Sequence, residues 1–162
     1  MADDLMLTLT GSDWLGVVLA VVAATFLGFL WFTPLFGKRW AREMGMDTSD
    51  RPSPRRMALS MVLFIFGNLL MAYVLWHEIH GWIPTLWAEQ LGIATGDVEN
   101  SSVWMYASLA ALFNWLGFML PLQLGRVAWE NRSWTLVAIN AGFDIVRLFA
   151  MAYIVAALSG QV

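Results

Sequence analysis

The stretch INAGFDIVRLFAMAYIVAA, Ile139 to Ala157, is apolar enough to lie in a lipid bilayer, yet it carries Asp144 and Arg147 near its centre. A helix needs roughly 20 apolar residues to cross about 30 Å of hydrocarbon. Extended to Trp134 and Leu158, this segment meets that requirement, and Trp14–Phe36, Met57–Trp76 and Val103–Leu124 meet or approach it. The spans 14–36, 57–76, 103–124 and 134–158 fill most of the 162 residues. They predict one all-α domain over residues 1–162, an integral membrane four-helix bundle. The composition agrees, because 59% hydrophobic against 13% charged residues is too apolar for an ordinary water-soluble domain of this length.

The basic residues set an orientation. Lys38, Arg39, Arg42, Arg51, Arg55 and Arg56 fall between spans one and two, and Arg126 and Arg132 between spans three and four. The remaining cation is Arg147, inside span four. The positive-inside rule then puts both of those loops in the cytoplasm and both termini outside. The acidic start MADDLMLTLTGSDW lacks the basic region of a cleavable signal, so span one reads as an uncleaved first span. Basic loops beside a membrane point to anionic lipid as the partner rather than nucleic acid. With no cysteine in the chain, disulfides, thiol catalysis and cysteine metal sites are excluded.

Helix punctuation fits these spans. Ser12 and Asp13 read as caps for span one, Ser53 with Pro54 for span two, Ser101 and Ser102 for span three, and Ser133 for span four. In the longest loop, Pro84 to Leu91 reads as a short amphipathic outer helix, with Leu86, Trp87 and Leu91 on its apolar side. In the first basic loop, GKRWAREMG mixes cations with aromatic and apolar residues, as a helix lying along the membrane surface would. Trp31, Lys38, Arg39 and Trp40 are the expected headgroup anchors there.

The stretches LWFTPLFGKRWAREMG (Leu30–Gly45), MAYVLWH (Met71–His77) and INAGF (Ile139–Phe143) together resemble a family of small bacterial membrane proteins known only as domain of unknown function 1761. The resemblance implies a four-span protein of the bacterial inner membrane, and it implies no reaction. The chain departs from the family pattern in its longer outer loop and in carrying Asp144 and Arg147.

The polar residues inside the spans are the candidate site. A rise of about 1.5 Å per residue brings Asn68, Asn114, Asp144 and Thr25 to similar depths near the midplane. Asn140, Asp144 and Arg147 are spaced by four and three residues along one stripe of span four, so Asp144 and Arg147 can pair directly. An isolated charge at that depth costs about 2.5–3.5 kcal/mol on insertion scales, so Asn68, Asn114, Asn140, Asp144 and Arg147 are expected to form one intramembrane polar cluster. Two roles fit it, a neutralised lock that fixes helix register or an ion relay. Arginine lowers the pKa of a paired carboxylate and makes it a poor proton carrier, which favours the lock.

Gly16, Ala20, Ala24 and Gly28 recur every four residues on span one, a small-residue face for close helix packing. Either a neighbouring span or a second copy of the chain, as in a homo-oligomer, fits that face. The motif HEIH, His77 to His80, is one residue short of the zinc-protease pattern and reads as interfacial histidines. No cofactor or metal is expected, and no nucleophile, base and acid stand at a catalytic spacing. The functional expectation is therefore a non-enzymatic structural or accessory membrane protein that interacts with lipid. A small channel or transporter is the alternative.

Overall fold

The computed structural model describes residues 9–46, 53–82 and 103–158. Among these residues there are helices and no strands, and four helices are long and apolar enough to cross a membrane. They are span one (Gly11–Leu35), span two (Pro54–Gly81), span three (Val103–Glu130) and span four (Trp134–Leu158). The segment 84–91, expected as an outer helix, lies outside the described residues.

Each helix start has a local cause. Thr10, rather than Ser12 or Asp13, is the N-cap of span one, and Asp13 completes a capping box by accepting the Thr10 backbone N–H at 2.7 Å. Ser53 accepts from the Arg56 N–H ahead of Pro54, and Ser133 accepts from the Leu136 N–H at 3.1 Å to start span four. Span three ends at Asn131, whose φ of 52° is left-handed and turns the chain within three residues into span four.

Spans one, two and three are not uniform helices, and span two ends in a π turn, Glu78–Trp82. Trp31–Leu35 winds as a π-helical turn around Pro34, and the Phe36 N–H bonds the Trp31 carbonyl at 2.9 Å. Trp115–Met119 is another π turn just ahead of Pro121. At Pro34 and Pro121 a proline without an N–H disturbs the regular ladder, and the extra residue in the turn absorbs the mismatch. Beyond Pro34 the chain bends at Gly37 into a short helix, Gly37–Glu43. A Cβ on Gly37 would lie 2.6 Å from the Phe32 carbonyl oxygen, so the bend needs glycine.

Span four is the axis of the bundle. Half of its apolar window is buried, against 17–28% for the other spans, and it packs chiefly on spans one and three. The core near the chain's N-terminal end is alanine-rich: Ala20, Ala24, Ala72, Ala107, Ala110, Ala111, Ala152 and Ala156 lie among Val17, Leu75, Leu148 and Met151. Between helices in lipid there is no hydrophobic drive, so small side chains gain stability by letting backbones approach. Phe26, Phe29, Leu63, Phe118 and Leu122 point outward and are more than half exposed. Hydrocarbon tolerates such a surface and water does not.

Candidate functional site, a polar cluster and the recess beside it

The two charges of span four meet as the sequence spacing requires. Arg147 Nη2 lies 2.7 Å from Asp144 Oδ1, and both side chains are about nine-tenths buried. Two further helices close the pair. Gln123 of span three donates its Nε2 hydrogen to Asp144 Oδ2 at 3.1 Å, and Arg147 Nη1 donates to Asn68 Oδ1 of span two at 3.2 Å. The guanidinium also lies 4.9 Å from the centre of the Phe143 ring, a cation–π contact. The result is a chain Asn68, Arg147, Asp144, Gln123 across three spans. Three buried polar atoms in it have no partner among the described residues: Asn68 Nδ2, Gln123 Oε1 and Arg147 Nε.

One of the expected members stands elsewhere. Asn114 donates to Glu78 of span two and to the Ala110 carbonyl of its own helix. Span three runs on to Glu130, so Asn114 lies 16 residues from the helix end, roughly 24 Å. Asp144 lies 10 residues from its own helix end, about 15 Å in the same direction. Farther than Asp144 from that end of the bundle lie Ala72, Leu75, Ala110, Ala111, Leu148 and Met151, a dry layer in which each residue has at most 1% of its surface exposed. Thr25 only bonds back to the Val21 carbonyl of its own helix. Asn140 accepts the indole N–H of Trp40 at 3.2 Å, one turn from Asp144 on the basic side.

The residues expected to anchor in headgroups do several different things. Trp31 donates its indole N–H to the Ile139 carbonyl at 3.0 Å, and Trp115 of span three donates to the Ala141 carbonyl at 2.8 Å. With Trp40 on Asn140, three indoles from three elements converge on Ile139–Ala141. Gly142 leaves room for the Trp31 ring, which would sit 3.3 Å from a Cβ there. Phe143 then packs edge-on against Phe32 and near Trp31 and Phe64. INAGF is thus a docking seat for tryptophans. Arg39 pairs with Glu43 at 3.5 Å and reaches Thr135, and Glu43 accepts from Ser133 at the N-terminus of span four, where the helix dipole favours an anion. Lys38 is exposed.

Gly16, Ala20, Ala24 and Gly28 are all buried within the chain, the last against Phe64 and Phe143, where a Cβ would meet the Phe64 ring at 3.0 Å. His77 and His80 bond back through Nδ1 to the Tyr73 and Trp76 carbonyls, both at 2.9 Å. No group of three metal-ligating side chains occurs among the described residues.

Beside the cluster a recess of about 320 Å³ opens at the basic end. Phe32, Trp40, Met44, Phe64 and Phe143 form its walls, Gln123, Asn140 and Asp144 its polar base, and exposed Arg126 its mouth. The sequence reading missed Gln123, Glu78 and Arg126 as site residues, because each lies near a span end where polar residues read as boundary. Measuring span three from its helix end at Glu130 places Gln123 only seven residues in, close to the level of Asp144.

The family described as "Protein of unknown function (DUF1761)" matches residues 15–156, nearly all of the four-span core. The chain belongs to this family. No curated protein and no solved structure matches it. The matched region of this DUF1761 chain takes in the π turn at Pro34, the short basic helix and the tryptophan seat on span four.

Proposed function

We propose that the chain is a non-enzymatic component of the bacterial inner membrane, a structural or accessory bundle whose basic cytoplasmic face engages lipid and whose termini lie outside. The supporting observation is the closure of the Asp144–Arg147 pair by Gln123 and Asn68, with a dry alanine and leucine layer beyond it. A conducting path needs polar groups or water from one face to the other. Here the polar groups reach only part of the way. A carboxylate that shares its oxygens between arginine and glutamine is already neutralised, which suits a fixed tie between helices.

The small-transporter reading has one observation in its favour, the recess that reaches Asp144 from the basic end. Reconstituted into proteoliposomes under a pH or potassium gradient, the purified chain is expected to give proton and ion fluxes equal to those of protein-free vesicles. Flux above that level, abolished by Asp144→Asn in a folded protein, would replace the accessory reading with the transporter.

A further inference from the structure

The lipid-engaging reading leaves open where a lipid is held and which kind, and the recess at the basic end answers both. Its volume of about 320 Å³ is at the small end of the range for ligand pockets, the size of a head group rather than a whole lipid. Its walls are aromatic and its base is polar but carries no net charge, because Arg147 neutralises Asp144 from behind. The charge left unbalanced in the lining is Arg126 at the mouth, which has no ion-pair partner among the described residues. Trp129 and Trp134, 88% and 67% exposed, flank the turn from span three into span four and mark the headgroup level close to that mouth.

The hydrogen-bonding capacity of the base narrows the chemistry further. Gln123 uses its NH2 on Asp144, which leaves its carbonyl oxygen, Oε1, as a buried acceptor without a donor. Asn140 uses its oxygen on Trp40, which leaves its NH2 as the group it offers. Gln123 and Asn140 both line the recess, so its base holds an acceptor and a donor, which suits a hydroxyl that both gives and takes a hydrogen bond. An ammonium head would lie beside the like charge of Arg126, and the Asp144 carboxylate at the base is already engaged by Arg147 and Gln123. A phosphate at Arg126 has the right sign and the right donor geometry.

We propose that the recess formed by Phe32, Trp40, Phe143, Gln123, Asn140 and Arg126 binds the head group of an anionic glycerol-type phospholipid, with its phosphodiester at Arg126 and its hydroxyls between Gln123 and Asn140. This rests on the lipid-engaging reading of the chain.

The test is native mass spectrometry of the full chain, released from nanodiscs of equimolar phosphatidylglycerol and phosphatidylethanolamine. One phosphatidylglycerol per chain is expected to be retained in preference to phosphatidylethanolamine. Arg126→Ala, an exposed change that leaves the bundle packed, is expected to reduce that retention about tenfold or more, as loss of a charge-assisted bond does. Gln123→Leu is expected to reduce it several-fold, and Arg55→Ala, outside the recess, to leave it unchanged. Equal retention of the two lipids, or retention unaffected by Arg126→Ala, would overturn the proposal. Displacement of the lipid by millimolar glycerol 1-phosphate would overturn its lipid half, since a soluble phosphate ester would then be the better ligand. These outcomes are separate from vesicle flux, which bears on the accessory reading and leaves the lipid result standing.

Discussion

Asp144 divides its two oxygens between different helices, Oδ1 to Arg147 and Oδ2 to Gln123, and this sets how the cluster responds to substitution. Asp144→Asn removes the counter-charge and leaves a buried guanidinium with Asn68 and an aromatic face. The expected loss is on the order of 3 kcal/mol, the usual scale when one member of a buried pair is removed. The double change Asp144→Leu with Arg147→Leu removes both charges and is expected to recover part of that loss. Recovery stays incomplete because Gln123 Nε2 and Asn68 Oδ1 then lose their partners as well, a cost that sequence spacing did not reveal. Equilibrium unfolding in a detergent mixture checks the order wild type, double variant, Asp144→Asn. A double variant less stable than Asp144→Asn would show that the charges are not acting chiefly on each other.

The π turn at Pro34, the bend at Gly37 and the helix Gly37–Glu43 work as one unit that folds back on span four. Trp31 and Trp40 enter span four from either side of that bend, and Glu43 reaches its N-terminus through Ser133. Gly37→Ala puts a methyl group 2.6 Å from the Phe32 carbonyl and must open the bend. The expected cost is about 1–3 kcal/mol, as for other overpacking changes, with Trp40 moved off Asn140 and its fluorescence shifted accordingly. A Gly37→Ala protein with unchanged emission and unfolding midpoint would mean that the bend relaxes freely. Sequence reading found this unit but gave its aromatics to the headgroup region. An indole with a polar edge and an apolar body suits a headgroup or a helix carbonyl equally, and only the packing distinguishes them.

For the molecule as a whole, the all-helical class and the four long apolar helices were legible because the length and hydropathy of a span are set by bilayer thickness rather than by packing. What the sequence hid was depth. Helices of 25 to 28 residues run past their apolar stretches, about 38–42 Å against about 30 Å of hydrocarbon, so counting from apolar ends misplaced Asn114 and overlooked Gln123. Orientation has its own test at this scale. Single-cysteine labelling with an impermeant reagent at Asp3, Asp50, Asp97 and Gln161 is expected to mark positions 3, 97 and 161 from outside intact spheroplasts and position 50 only after lysis. Labelling of position 50 before lysis would invert the topology and place the recess on the outer face.

The ion pair has an electrical consequence. Arg147 Nη2 lies only 2.7 Å from Asp144 Oδ1, so on a helix that crosses a membrane the two charges can differ in depth by little more than that. A full charge crossing 100 mV gains about 2.3 kcal/mol, so a dipole that spans roughly a tenth of the hydrocarbon couples to that voltage by only about 0.2 kcal/mol. This is below thermal energy at any resting potential, whichever way the helix points. A pair closed in this way is nearly blind to a transmembrane voltage, so it can tie helices together without acting as a voltage sensor.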